Sequence, residues 1–367
     1  MTPGGPREAG PLRVLLLADT HLGLDHALRP RVQRPRRGPD FFANTEAALA
    51  PAHRGEVDLV VHGGDLLYRS RVPAALVQLA FEPLLRVADR GVPVVVVPGN
   101  HERSAIPYPL LVAHRHLHLL DRPQTLSLSL RGLTVEVVGF PCVRNGIRDR
   151  FPRLLSQAAT PTTPDVRLLC LHQTVEGAQV GPVGFTFRGD ADTIRGRDLP
   201  PGFAAVLAGH IHRHQVLTRD LRGRPLAAPV LYPGAIERTS AAEREERKGV
   251  LTLTVTPDRA RGGRLQQWDF HPLPARPWHD VELGLEGLAP AERDAKLRRI
   301  LGALPDNALV RLRLPAPVPP AHRPGLRIGA LRALAGPNQI VEIVGGRRGA
   351  PGQGAPSDRS PAARGGA

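Results

Sequence analysis

Seven side chains of the types that bind divalent metal ions follow short apolar runs in this chain. Two are carboxylates, four are imidazoles and one is an amide: Asp19, His21, Asp65, Asn100, His172, His210 and His212. Such a mixed set suits Mn²⁺, Fe²⁺ or Zn²⁺, and its lack of thiolates argues against a structural zinc site. The set exceeds what one ion needs, so it predicts two ions that share a bridging carboxylate. Two ions about 3.5–4 Å apart can hold a phosphate and activate a water for in-line attack.

The apolar runs before these residues predict buried strands. They are LRVLLLADTH (12–21), VDLVVHGGD (57–65), VPVVVVPGNH (92–101), VRLLCLH (166–172) and AAVLAGHIH (204–212). Continuous apolar runs are typical of strands covered on both faces, and helical patterns between several of them favour a layered α/β fold. Ligands bind beyond the carboxyl ends of strands in such sheets. We therefore expect the seven side chains to meet at one edge.

Composition predicts four segments along the chain. Residues 1–11 are predicted to be a flexible lead, and 12–271 form the domain that carries the metal-ligand types. After a proline-rich break at 271–279, residues 280–345 show a β-α-β-α-β pattern typical of a small second domain. Residues 346–367 are rich in Gly, Pro and Arg and are expected to be disordered.

A net charge of +15, nearly all of it from arginine, favours a polyanionic substrate. Arginine forms bidentate contacts with phosphate. The alternative explanation for part of the arginine excess is a GC-rich genome, which also enriches a chain in Ala, Pro and Gly. Candidate DNA contacts lie in the segment 28–42 and just after Asp65. The arginines are Arg29, Arg31, Arg34, Arg36, Arg37, Arg69 and Arg71. The aromatic side chain of Tyr68 could stack on a base. The alternative for the basic segment is a solvated loop.

The cysteine content and the N-terminal residues predict a cytoplasmic protein. Cys142 and Cys170 are the only cysteines, so no disulfide framework is expected, and both are predicted to be small buried residues. The first residues lack the apolar region of a signal peptide. No stretch approaches the ~20 apolar residues of a membrane span.

Five motifs taken together resemble the signature of the calcineurin-like metallophosphoesterases. They are DTH (19–21), GGD (63–65), GNHE (99–102), the histidine at 172 and GHIH (209–212). Longer stretches resemble the SbcD-type DNA repair exonucleases, namely DTHLG (19–23), DFFAN (40–44), GDLLYRSRVP (64–73), PGNHERS (98–104) and YPGAIERTSAAEREERKG (232–249). The resemblance covers about residues 12–275. It implies a four-layer α-β-β-α sandwich, followed by a small capping-like α+β domain.

The resemblance also implies a role for each candidate site residue. One ion would be held by Asp19, His21 and His212. The other would be held by Asn100, His172 and His210. Asp65 would bridge the two ions, and His101 would face the scissile phosphate as a general acid or transition-state donor. In this family the ions are usually Mn²⁺, and Mg²⁺ is a poorer substitute.

For the whole chain, the resemblance implies a two-metal phosphodiesterase that acts on DNA as an exonuclease or endonuclease. It further implies an SbcC-type ATPase partner and a homodimer formed near residues 72–85. One departure is Tyr68, where relatives often carry a histidine. Two alternatives stay open: a hydrolase of small or cyclic phosphodiesters or of phosphoproteins at the same site, and an inactive protein that binds DNA ends. The complete set of ligand types counts against the inactive protein.

Overall fold

The computed structural model describes three stretches of the chain, residues 10–102, 114–315 and 317–345. Most of the predicted lead and the whole predicted tail lie outside these stretches. Contacts divide the chain into two units, Met1–Arg276 and Pro277–Ala367, and the division falls within the proline-rich break.

The first large sheet has a parallel centre. Its parallel strands are β1 (Leu12–Leu17), β2 (Leu59–His62), β3 (Val94–Val96) and β4 (Leu117–Leu119). Two antiparallel strands extend it beyond β1, namely β15 (Gly249–Thr256) and β16 (Arg264–Pro272). The strand order β16-β15-β1-β2-β3-β4 places the most continuous apolar run, in β1, at an interior position.

The second large sheet also has a parallel centre, but one antiparallel strand lies at each of its edges. Its parallel strands are β6 (Leu133–Gly139), β7 (Val166–His172), β12 (Ala205–Gly209) and β14 (Pro225–Tyr232). Antiparallel edges are formed by β5 (Gln124–Leu130) and β13 (Gln215–Arg219). The order β13-β14-β12-β7-β6-β5 places β7, which ends at His172, beside β12, which precedes His210 and His212, at the centre of the sheet.

Alternate residues of the central strands face two different cores, as the two-residue period of a strand requires. Val14 and Leu16 of β1 pack with Leu168 of β7 between the two sheets. Leu15 of β1 points the other way, toward Phe81 and the other core residues of two helices. Because both faces of the strand are buried, its sequence is apolar at nearly every position instead of alternating.

Helices cover the outer faces of both sheets. The helices α1 (Gly38–His53) and α2 (Ala74–Asp89) pack on the first sheet. The helix α3 (Ile147–Ala158) packs on the second, beside four short strands. Those strands are β8 (Thr174–Val175), β9 (Gln179–Val180), β10 (Phe185–Thr186) and β11 (Thr193–Ile194). The layers therefore run α-β-β-α, which confirms the predicted fold class.

The second unit has its own three-stranded parallel sheet. Its elements, in chain order, are β17 (Trp278–Glu282), α4 (Pro290–Gly302), β18 (Leu309–Leu314), α5 (Ile328–Leu334) and β19 (Ile340–Gly345). Leu297 and Leu331 of the two helices are buried with Val310 and Leu312 of the central strand. These residues give the unit a core of its own.

Both cysteines are free thiols. Cys170 lies in the core between the two large sheets, and Cys142 is half-buried. In the described stretches, none of the helices has both the length and the apolar composition that a membrane span needs.

Candidate metal centre

All seven predicted ligands lie around one pocket at the carboxyl ends of β1, β2, β3, β7 and β12. Contacts or close approaches link each of them to another member of the set. The sheets can meet here because Gly63 and Gly209 touch through their backbones, so that a Cβ on Gly63 would lie 2.9 Å from the nitrogen of Gly209. Ligands from two different sheets are thereby gathered at one site.

The first group of ligands consists of Asp19, His21 and His212. The Nε2 atoms of His21 and His212 lie 3.0 Å apart. An oxygen of Asp19 lies 3.7 Å from the His212 Nε2 and 4.0 Å from the His21 Nε2. Two imidazole nitrogens that face each other beside a carboxylate form a donor set that fits a divalent ion.

The second group consists of Asn100, His172 and His210. The Nδ1 of His172 lies 2.8 Å from the carbonyl oxygen of Gly63, which can only accept, so Nδ1 carries a proton. The other ring nitrogen, Nε2, faces the side-chain oxygen of Asn100 at 3.0 Å. That oxygen also lies 3.0 Å from the Nδ1 of His210. When the two rings are neutral, a cation can satisfy all three atoms at once.

Asp65 lies between the two groups. Its carboxylate is 3.4 Å from the Nε2 of His172, and it belongs both to a cluster with Asp19 and His172 and to one with His21 and His101. A carboxylate with neighbours in both groups has the position that a bridging ligand requires.

Four of these residues have a left-handed backbone. The φ angles are 52° at Asp19, 42° at His21, 52° at Asp65 and 86° at His210. Non-glycine residues seldom adopt this region, at a cost of about 1–3 kcal/mol each, and such residues cluster at functional sites. The sharp turns that follow the strands therefore aim the side chains into the pocket.

His101 lies beside the metal-ligand set and is open to solvent. Its Nδ1–H donates to the carbonyl oxygen of Tyr68 at 2.6 Å, which fixes the ring orientation. The Nε2 lies 3.8 Å from Asp65, and 35% of the side chain is exposed. A substrate phosphate can therefore reach the free side of this ring.

Glu102 was given no role by the sequence reasoning, yet it holds the loops of the centre together. Its buried carboxylate accepts backbone N–H bonds from Asp65 at 2.9 Å, Leu67 at 2.7 Å and Gly99 at 2.7 Å. Burial, reinforced by the charge of Asp65, raises its pKa to about 8. The GNHE motif contains this residue, but a sequence alone does not reveal which backbone groups a carboxylate will meet.

A second group missed by sequence reasoning orients His212. The Nδ1 of His212 lies 3.1 Å from the carboxylate of Glu243 and 3.2 Å from the hydroxyl of Thr239. The fully buried Lys248 donates to Glu243 at 2.6 Å, to Glu246 at 3.0 Å and to the backbone oxygen of His212 at 3.0 Å. A proton on Nδ1, directed at Glu243, leaves Nε2 to bind metal. The charged stretch at 232–249 was noted only as a family feature.

Charges in the pocket alter the protonation of the candidate ligands. Burial and the neighbouring His212 lower the pKa of His21 well below its ordinary value. Burial opposes the charged form of His172, but Asp65 and Asp19, with the Gly63 carbonyl, together outweigh it and raise the pKa to about 9. Burial likewise opposes the charged form of His212, but Glu243 and Asp19 together outweigh it and raise the pKa. Ion binding at His172 therefore has to displace a proton at neutral pH, and the raised pKa of His212 makes protons compete with an ion there as well.

Three of the predicted DNA-contacting arginines pair with protein groups. Arg34 and Arg36 both bond the carboxylate of Asp25, which also accepts the backbone N–H of Arg37 at 3.0 Å. The Arg37 side chain is buried and bonds the backbone oxygen of Arg238. Its burial gives Arg37 a structural role, so we leave it out of the proposed DNA contacts.

The other candidates lie at the surface. Arg29, Arg31, Arg69 and Arg71 are exposed. The guanidinium of Arg69 lies over the Tyr68 ring at 4.7 Å from its centroid. Tyr68 is half-buried, and its backbone oxygen binds His101, so this residue borders the metal centre.

Known proteins of similar sequence include DNA repair proteins. The DNA double-strand break repair protein Mre11 of Haloferax volcanii is 32% identical over 291 residues, covering 77% of this chain and 56% of that protein. The Mre11 of Saccharolobus solfataricus is 27% identical, with 57% and 51% covered. SbcD, a component of the nuclease SbcCD of Bacillus subtilis, is 27% identical, with 67% of each chain covered. The chain spans about half to two thirds of the length of these relatives.

The family itself is shown by a family model. The model described as calcineurin-like phosphoesterase matches residues 12–214, more than half of the chain. This range contains every candidate metal ligand and His101. The match confirms the resemblance predicted from the motifs. The chain belongs to the calcineurin-like phosphoesterase family.

Proposed function

We propose that this protein is a metal-dependent phosphodiesterase that cuts DNA in repair or end processing. The observation that carries the proposal is the gathering of seven ligand side chains from five strand ends around one pocket, with His101 at its side. The relatives named for DNA repair and as part of a nuclease support DNA as the substrate.

Two divalent ions would occupy the pocket, with Mn²⁺ the first choice and Mg²⁺, Fe²⁺ or Zn²⁺ the alternatives. Asp19, His21 and His212 would hold one ion. Asn100, His172 and His210 would hold the other, with Asp65 shared. When bound, the ions supply Lewis acidity that activates water and neutralises charge on the phosphate.

The chain's own contribution is to orient groups and move a proton. The Tyr68 carbonyl holds the His101 ring so that Nε2 can donate a proton to the departing 3′ oxygen. Glu102 and Glu243 keep Asp65 and His212 in position. The exposed Arg29, Arg31, Arg69 and Arg71 would contact the DNA backbone, together with the partly exposed Arg34 and Arg36. Tyr68 could stack on one base.

The organisation of the whole protein is also part of the proposal. Residues 12–271 would form the nuclease domain and 280–345 a capping-like domain. The Bacillus subtilis relative is by name one component of a nuclease. We infer that this chain likewise works in the cytoplasm with an SbcC-type ATPase, as a homodimer.

The deciding experiment is a nuclease assay with Mn²⁺ on end-labelled duplex and single-stranded DNA. The wild type should degrade DNA, while Asp65→Ala and His101→Gln should lose most of that activity. Equal degradation by Asp65→Ala and wild type would identify a contaminating nuclease and overturn the proposal. Hydrolysis of bis-p-nitrophenyl phosphate without any cutting of DNA would instead favour a hydrolase of small phosphodiesters.

A further inference from the structure

A cleft lined by three exposed arginines lies beside the metal centre. Its volume is about 510 Å³, and the arginines are Arg122, Arg144 and Arg150. None of the three was among the DNA contacts predicted from the sequence. They come from two loops and from α3, so only the folded chain brings them to one cleft.

The loop that carries Arg144 is tied directly to the metal-ligand loops. The guanidinium of Arg144 donates to the backbone oxygen of Asn100 at 2.6 Å. Cys142 donates its N–H to the oxygen of Pro98 at 2.9 Å. Gln173, which follows the ligand His172, donates to the oxygen of Val143 at 3.1 Å. These three bonds hold one end of the cleft against two of the ligand-bearing loops.

The cleft has the chemistry of a nucleic-acid backbone site. A guanidinium has five N–H donors, and the bond to Asn100 uses one of those of Arg144. Arginine binds phosphate oxygens in a bidentate manner. Pro123, Pro141 and Leu154 supply apolar lining that a sugar can contact, and the one acid of the lining, Asp121, lies 3.4 Å from Arg122.

We propose that this cleft binds the sugar–phosphate backbone of the DNA strand that is cut, on one side of the scissile phosphate. Arg144 contacts a phosphate near the centre, and Arg122 and Arg150 contact phosphates farther along. The inference rests on the proposed nuclease function and adds a binding track to it. A small diester has one phosphate, which the centre itself engages, so it leaves the cleft empty.

The test compares two double variants in DNA binding. Arg122→Gln with Arg150→Gln removes two cleft charges, and Arg54→Gln with Arg86→Gln removes two charges from the helical layer. Fluorescence anisotropy with single-stranded DNA, with EDTA present to prevent cleavage, gives affinity against NaCl concentration. Each lost phosphate contact lowers the slope of log K against log salt by about 0.7.

The cleft variant should bind DNA about tenfold more weakly and lose about 1.4 from its salt slope, for two contacts of about 0.7 each. The control should stay within about twofold of wild type, because its charges lie outside the cleft. Both should hydrolyse bis-p-nitrophenyl phosphate at the wild-type rate, which shows that the centre is intact. Wild-type affinity and slope in the cleft variant would overturn the inference, as would an equal loss in the control.

Failure of the inference is distinct from failure of the proposed function. If the wild type cuts DNA while the cleft variant binds DNA normally, only the cleft assignment is wrong. If the wild type neither binds nor cuts DNA but hydrolyses the small diester, the proposed function is wrong, and the cleft assignment is wrong as well. An acidic polypeptide that competes with DNA for the wild type, but not for the cleft variant, would show that the cleft is a protein-binding site instead.

Discussion

Gly63 and Gly209 touch through their backbones where the two large sheets meet beneath the metal centre. A Cβ on Gly209 would overlap the carbonyl oxygen of Gly63, and that same oxygen accepts the Nδ1–H of His172. Neither glycine is replaceable by a larger residue unless the sheets move apart. The contact therefore controls the distance between ligands from different sheets.

We predict that Gly209→Ala destabilises the protein by about 1–3 kcal/mol, because the added methyl forces backbone apart in a packed region. The same change should reduce the number of bound ions. Thermal unfolding and metal content measure the two effects. Gly302→Ala is the control, since a Cβ there meets nothing within 4 Å. An unchanged melting temperature in Gly209→Ala would contradict the close contact.

His101→Gln should lower kcat about 10²- to 10⁴-fold, because the variant cannot donate a proton to the leaving oxygen. Metal content should stay at the wild-type level, since the ring of His101 lies beside the ligand set. Steady-state kinetics on DNA, whose departing 3′ oxygen needs a proton, and elemental analysis test the two parts. His53→Gln, at the end of α1, controls for a histidine change elsewhere in the fold. Loss of an ion in His101→Gln would make the residue a ligand.

Glu243→Gln should weaken the binding of one ion about 10- to 100-fold, because the amide no longer fixes the His212 tautomer. Glu246→Gln is a matched control, since Glu246 also bonds Lys248 while its other carboxylate oxygen bonds Arg213. Calorimetric titration with Mn²⁺ and the electron paramagnetic resonance signal of a coupled pair distinguish one ion from two. Equal losses of ion affinity in Glu243→Gln and Glu246→Gln would show that the effect comes from the contacts of Lys248 alone and not from the His212 tautomer.

Metal binding should strengthen as the pH rises from about 6.5 toward 9. His172 has a pKa raised to about 9, so at neutral pH it carries a proton that an ion must displace, and the raised pKa of His212 acts in the same direction. Below those pKa values each displaced proton contributes up to about tenfold in affinity per pH unit. Calorimetry in buffers of different ionisation enthalpy counts the released protons. Affinity that does not change with pH would contradict this assignment.

The sequence was sufficient to predict the fold class and the group of candidate ligands because both depend on local patterns. Apolar runs marked the buried strands, and the polar residues after them marked one edge of the sheets. The layered sandwich is confirmed, and the seven side chains do come together, while their binding of ions stays a prediction.

The supporting groups were not predictable because they depend on contacts between distant residues. Lys248 and Glu243 lie near each other in the chain, but they reach His212, more than 30 positions away, only after folding. Arg37 belongs to a basic run that suggested a DNA contact, yet tertiary packing buries it. The cleft at Arg144 likewise depends on its bond to Asn100, 44 positions away.

The left-handed backbone at residues of the centre lowers the stability of the fold while it positions side chains for function. At Asp65 and His21, a glycine would adopt the same backbone without strain, but it would remove a ligand. Each such position costs about 1–3 kcal/mol, while a whole domain is stable by only ~5–15 kcal/mol. Selection for thermal stability alone would therefore favour glycine at these positions, at the expense of the candidate metal ligands.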